Sequence, residues 1–172
     1  MSVMKHVIVD TNVPIKAADF HSEDEVDLKC SQSCLSFIKA LMNSDDVVVL
    51  DTGWEILNEY KKHIDIHSED NVASEFLMWI IHGMLTEKVV QYQITKTGNN
   101  SYAEFPTSPD LSGFDRSDRK FVALAKADPT NPSIYNGSDT DWWDFREAFT
   151  KEGIHIVFLC EEYMRAKSKG RT

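Results

Sequence analysis

Four acidic residues stand where an apolar run hands over to a turn or a helix: Asp10 closing VIVD, Glu59 in WEILNEY, Asp118 in FDRSDRKFVALA and Asp139 in NGSDTDW. Brought to one place, four carboxylates repel, and either some stay protonated or a cation neutralises them. An all-oxygen donor set suits Mg²⁺ or Mn²⁺. Those ions serve phosphodiester hydrolysis, because they lower the pKa of water and stabilise charge on the phosphate and the leaving oxygen. The pattern predicts a nuclease in which Asp10, Glu59, Asp118 and Asp139 are at once metal ligands and catalytic residues. That chemistry needs no histidine or cysteine nucleophile.

The elements that must position these acids alternate. MKHVIVD reads as a strand, followed by a brief helix near Val13 to Asp19 and a polar loop, HSEDEVD, whose acids are solvated or cap a helix. DLKCSQSCLSFIKALMNS is a helix with Leu28, Leu35, Ile38, Leu41 and Met42 near helical spacing. DDVVVLD is a buried strand, GWEILNEYKKHI and EDNVASEFLMWIIHGMLTEK are helices, and VVQYQIT is a strand. A loop insertion follows, at about residues 95–113, rich in Asn, Ser, Gly and Pro. SDRKFVALAKA is helical, PSIYNGSD a strand, TDWWDFREAFTKEG a helix ending at Gly153, IHIVFL a last strand and CEEYMRAK a short helix. Strands separated by helices predict one α/β domain over residues 1–172, a three-layer α/β/α sandwich around a mainly parallel sheet. Ligands of such sheets bind beyond the carboxyl ends of the strands, where Asp10 and Asp139 are expected as strand-ending residues.

Helical geometry sorts the remaining acids. At 100° per residue, Asp118 falls among Phe121, Val122 and Ala125 on the inward face of its helix. A carboxylate there is costly unless paired or metal-bound. Asp115, in the preceding turn, is the second choice and could instead cap the helix. Glu59 lies at the edge of the Ile56, Leu57, Tyr60 and Ile64 stripe, whereas Glu55 points nearly opposite and reads as surface, with irregular geometry expected around Gly53. Arg119 and Lys120 beside Asp118 are the expected phosphate contacts. Trp142, Phe145 and Phe149 share a core-facing side, which leaves Trp143 to stack on a base or meet a partner.

Composition sets the bounds. Of 172 residues, 42% are hydrophobic and 27% charged, as in ordinary globular chains, and no apolar run is long enough to span a bilayer. The opening segment reads as a strand rather than a signal peptide, so a cytoplasmic protein away from membranes is expected. Cys30, Cys34 and Cys160 are an odd count without zinc spacing, and the expectation is free cytosolic thiols. A net charge of −10 opposes binding of a polyanion. Part of that charge belongs to the acidic site itself, and local cations (Arg116, Arg119 and Lys120, then Arg165, Lys167, Lys169 and Arg171) offset more, although the tail also reads as a solvated terminus.

The chain resembles the PIN-domain family of metal-dependent ribonucleases. VIVDTNVPI, EILNEY, FDRSDRKFVALA, and NGSDTDWWDF followed by GIHIVFL occur in family order over roughly residues 5–160. The resemblance implies an acidic site of Asp10, Glu59, Asp118 and Asp139, with Asp141 as an accessory ligand. It also implies that Asn12 orients Asp10 or a water on the ion, and that Ser138 does the same for Asp139. RNA is the implied substrate, with products bearing 5′-phosphate and 3′-hydroxyl ends, and a homodimer is the implied assembly. A toxin of a toxin–antitoxin pair or a defence nuclease, each with an inhibitory or activating protein partner, fits that class. The loop at 95–113, the TDWWD aromatics and the acidic charge depart from the leanest members.

Two other functions compete. A haloacid-dehalogenase-type phosphatase also opens with a strand and Asp, but it wants a second Asp where Asn12 stands. A PIN-like binding or scaffold module would keep the fold without turnover, and metal-dependent cleavage separates it from the nuclease.

Overall fold

The computed structural model describes residues 3–168. It opens with β1 (His6–Val9), α1 (Asn12–Ala17), α2 (Glu25–Met42) and β2 (Val47–Asp51). Then come α3 (Glu55–His63), α4 (Val72–Gly83) and β3 (Val89–Tyr92), followed by the short strands β4 (Lys96–Gly98) and β5 (Ser101–Tyr102). The last third is α5 (Arg119–Ala127), β6 (Ser133–Asn136), α6 (Thr140–Asp144), α7 (Arg146–Lys151), β7 (Ile156–Phe158) and α8 (Glu161–Lys167).

Five strands form one parallel sheet in the order β3-β2-β1-β6-β7. In the middle of it Val7, Ile8, Val9, Val48, Val49 and Leu50 are buried without alternation, as expected when helices cover both faces. Right-handed crossovers send the connections on the two sides of β1 over opposite faces. The contacts agree: α1, α2 and α4 pack on one another, and α5 packs beside β6. Helix α3 lies at the rim between the layers. Its Tyr60 packs edge-on against Phe76 of α4, and α3 also touches α5. The expected three-layer α/β/α sandwich is what the chain forms.

Two local expectations change. The 95–113 stretch is not structureless: β4 and β5 pair as a hairpin turned at Asn100, whose φ of 51° suits a turn. Tyr102 of β5 and, beyond the hairpin, Phe105, Leu111 and Phe114 plug into the core, with Phe114 packed edge-on against Trp142, Phe145 and Phe149. The long helix expected from Thr140 to Gly153 breaks at Phe145 into α6 and α7, while its apolar side (Trp142, Phe145, Phe149) is buried as predicted. The irregularity expected around Gly53 is present and centres on Trp54. Asp51 reaches over the turn to accept the amides of Glu55 and Ile56, which leaves Trp54 at φ 66°, a left-handed conformation rare outside glycine.

The cysteines do not stay free. Cys30 on α2 and Cys160 in the turn before α8 form a disulfide across 130 residues. Sequence spacing could not show this pair, because only the last parallel strand carries Cys160 back over α2. Cys34 remains a thiol, and burial pushes its pKa up to about 12. Among the described residues no helix is long and apolar enough to cross a membrane. Lys169 and Arg171 lie outside the described residues, whereas Arg165 and Lys167 pair with Glu161 and Asp24.

Candidate metal centre at the carboxyl rim

The strand order reverses between β1 and β6, and at that switch point a parallel sheet opens a crevice beyond its carboxyl ends. Asp10 follows β1 directly, its amide still bonded to the Tyr135 carbonyl at 3.0 Å. Asp139 does not end β6 directly, as expected from sequence. It lies three residues beyond Asn136 and caps α6, accepting the Asp141 amide at 3.0 Å. Asp118 ends a 3-10 turn at the start of α5 and is buried. One oxygen from each of Asp10, Asp118 and Asp139 lies within 4.8 Å of the others. Together with Thr11, Asn12, Ile15, Lys16, Asp19, Glu59, His63 and Ser138 they line a cleft of about 320 Å³.

Small polar groups fix the cluster. Asn12 donates from Nδ2 to Asp10 Oδ2 at 2.6 Å, and its Oδ1 accepts the amides of Gly137 and Ser138 at 2.8 and 3.1 Å. One side chain thereby ties the end of β1 to the turn after β6. Asn136 Nδ2 adds a second donor to Asp10 Oδ2 at 3.1 Å, while its own Oδ1 is buried with no partner. Asn136 was not singled out from sequence, although a polar residue closing an apolar strand is the same signal that marked Asp10. The contact found for Ser138 is its backbone amide on Asn12 rather than a side-chain bond to Asp139.

Electrostatics leave the trio uncompensated. Burial, reinforced by the charges of Asp139 and Glu59, raises Asp10 to about 8. Burial also raises Asp118 to about 9, with Asp10, Asp139, Asp115 and Glu59 adding to it. Asp139 is raised as well, again chiefly by burial. No Lys, Arg or His of the described residues forms an ion pair with any of the three.

Glu59 stands at the cleft wall but is already engaged. Lys120 forms an ion pair with its Oε2, and Thr11 Oγ1 donates to its Oε1 at 2.8 Å. Lys120 is therefore buried against Glu59 and not presented to solvent as a phosphate contact. Arg119 turns away from the cleft: its guanidinium donates to the carbonyls of Ser112 and Phe114 and lies 4.6 Å over the Phe105 ring. Trp143 is likewise elsewhere, edge-on to Phe158 at 5.1 Å and under the Arg146 guanidinium. Asp115 caps the 3-10 turn through the Ser117 amide, its alternative role, and Asp141 accepts the Asp115 amide at 3.0 Å rather than joining the trio. Glu55 is a surface partner of Lys96. His63 is exposed at the end of α3 and borders the cleft.

The fold and site define a three-layer α/β/α protein with a buried carboxylate trio at its topological switch point. No family model, curated protein or solved structure matches the chain.

Proposed function

We propose that this protein is a metal-dependent endoribonuclease of the PIN type, using Mg²⁺ or Mn²⁺ to hydrolyse RNA phosphodiesters. The observation that carries the reading is the trio of Asp10, Asp118 and Asp139: three carboxyl groups whose oxygens converge within 4.8 Å and with which no side-chain cation among the described residues pairs. The oxygen-only donor set fits a hard divalent cation. When bound, such an ion supplies an activated water and stabilises charge developing on the phosphate. The chain's own residues have separate tasks. Asn12 and Asn136 hold Asp10 in one rotamer, and Asp139 is fixed by capping α6. Lys120 and Thr11 hold Glu59 at the wall, where it can orient a water or a substrate hydroxyl. The order of motifs over residues 5–160 supports RNA as the substrate and a homodimer as the assembly.

The test is cleavage of a panel of single-stranded and structured RNAs, with a small phosphomonoester alongside, in Mn²⁺, Mg²⁺ or EDTA. Cleavage is expected only with metal, and Asp10→Asn is expected to lower it by about 10²-fold or more, as loss of a group stabilising charge in the transition state does. Intact RNA throughout, with metal still bound, would leave a scaffold module. Turnover of the monoester alone would favour a phosphatase.

A further inference from the structure

Away from the acidic cleft, three sulfurs converge beneath the surface. Cys30 and Cys34 lie one helical turn apart on the buried side of α2, and Cys160 meets them from the turn between β7 and α8. All three Sγ atoms lie within 4.8 Å of one another. The structure holds two of them as the Cys30–Cys160 bridge, with Cys34 Sγ 3.7 Å from Cys160 Sγ. We propose that, once the bridge is reduced, Cys30, Cys34 and Cys160 form a three-sulfur site for one soft, thiophilic cation of the Cu(I) class. The disulfide is then the closed, metal-free state of the same cluster.

The geometry supports this in three ways. Metal–sulfur bonds of about 2.3 Å place the sulfurs of a shared ion roughly 3.8–4.0 Å apart. The Cys34–Cys160 separation of 3.7 Å is already close to that edge length, and Cys30 completes the triangle when its bond to Cys160 opens. The donors are sulfur alone, which selects a soft ion. No imidazole or carboxylate belongs to the cluster, so the fourth ligand that zinc prefers is missing among the described residues. The cluster also has an approach. Cys30 and Cys160 line a surface cleft of about 100 Å³ edged by Lys29, Glu161 and Glu162, which opens the pair of sulfurs to solvent. The other side is closed: a Cβ on Gly137 would fall 2.9 Å from Cys34 Sγ.

The chemistry balances with a dithiol as reductant. The Cys30–Cys160 bond accepts two electrons and breaks, both sulfurs take up protons, and the dithiol closes to its own disulfide. Cation binding then releases the thiol protons to solvent.

The experiment uses the whole chain under anaerobic conditions, reduced with a dithiol, desalted and titrated with Cu(I) against a chromophoric Cu(I) chelator. One equivalent should leave the chelator, with a sulfur-to-copper charge-transfer band in the ultraviolet. Oxidised protein should take up none, and Cys34→Ala should bind at least about tenfold more weakly. The oxidised Cys34→Ala variant retains the bridge and serves as the folding control, and Cys34→Ser is a second variant closer in volume. The proposal is overturned if the reduced wild-type chain leaves all Cu(I) with the chelator. Equal uptake by oxidised protein, or undiminished affinity in a folded Cys34 variant, overturns it as well.

Discussion

Asp10 and Asp118 hold protons in the folded chain, without metal, that the unfolded chain has already released. Their folded values of about 8 and about 9 lie above the ordinary aspartate value near 4. Folding therefore takes up protons between those limits, and stability falls as pH rises from about 4 to about 9. In EDTA the melting temperature should decline across that window, and saturating Mn²⁺ should flatten the decline. Asp118→Asn should flatten it without metal, which separates the cluster from the general repulsion of an acidic chain. A melting temperature that is level or rising from pH 5 to 8 in EDTA would contradict this reading of the trio. Lys120 carries a second prediction: Lys120→Met strands Glu59 at the cleft wall and should cost about 3 kcal/mol in denaturant unfolding, as breaking a buried pair does. Three of the four acids expected together converge, Asp10 and Asp118 because each interrupts an apolar pattern and Asp139 because it follows a strand into a helix, whereas Glu59 is held at the wall by Lys120. The partners of Lys120, Arg119 and Trp143 were not legible in the sequence. Each long side chain can swing several ångströms, and tertiary neighbours decide where it settles.

At the scale of elements, the turn after β6 links two clusters. The Gly137 amide donates to Asn12, and a Cβ there would fall 2.8 Å from Asn12 Oδ1 and 2.9 Å from Cys34 Sγ. Gly137→Ala should therefore cost about 1–3 kcal/mol through overpacking. It should also weaken divalent-cation binding at the acidic cleft, measurable by calorimetry, because Asn12 can no longer hold Asp10 as it does. Unchanged affinity together with unchanged stability would mean that the turn adapts. Strands and the major helices followed from periodicity alone. The hairpin within 95–113 and the break at Phe145 did not, because both meet distant segments: β5 packs on α5, and Phe114 packs against Trp142, Phe145 and Phe149.

Across the whole molecule, the Cys30–Cys160 bridge spans 130 residues and constrains the unfolded chain strongly. The loop-entropy account gives about 5 kcal/mol for a loop of this length and bridges typically deliver about 2–4 kcal/mol, so reduction or Cys30→Ala should lower stability by about 2–5 kcal/mol, seen as a lower denaturant midpoint. Fold class was readable from alternating strands and helices. Strand order and the bridge were not, since both depend on β6 and β7 returning to the far side of β1.

That return has a temporal meaning. β1 pairs with β6, so Val9 meets Tyr135 across most of the chain. A polypeptide emerging in order presents Asp10, then Glu59, then Asp118, yet Asn136 and Asp139 arrive only with the final quarter. Parallel pairing over such a span is late and slow. The carboxylate cluster is consequently incomplete in a growing chain, and the chemistry proposed for it would have to wait until the segment through α6 has been made and docked.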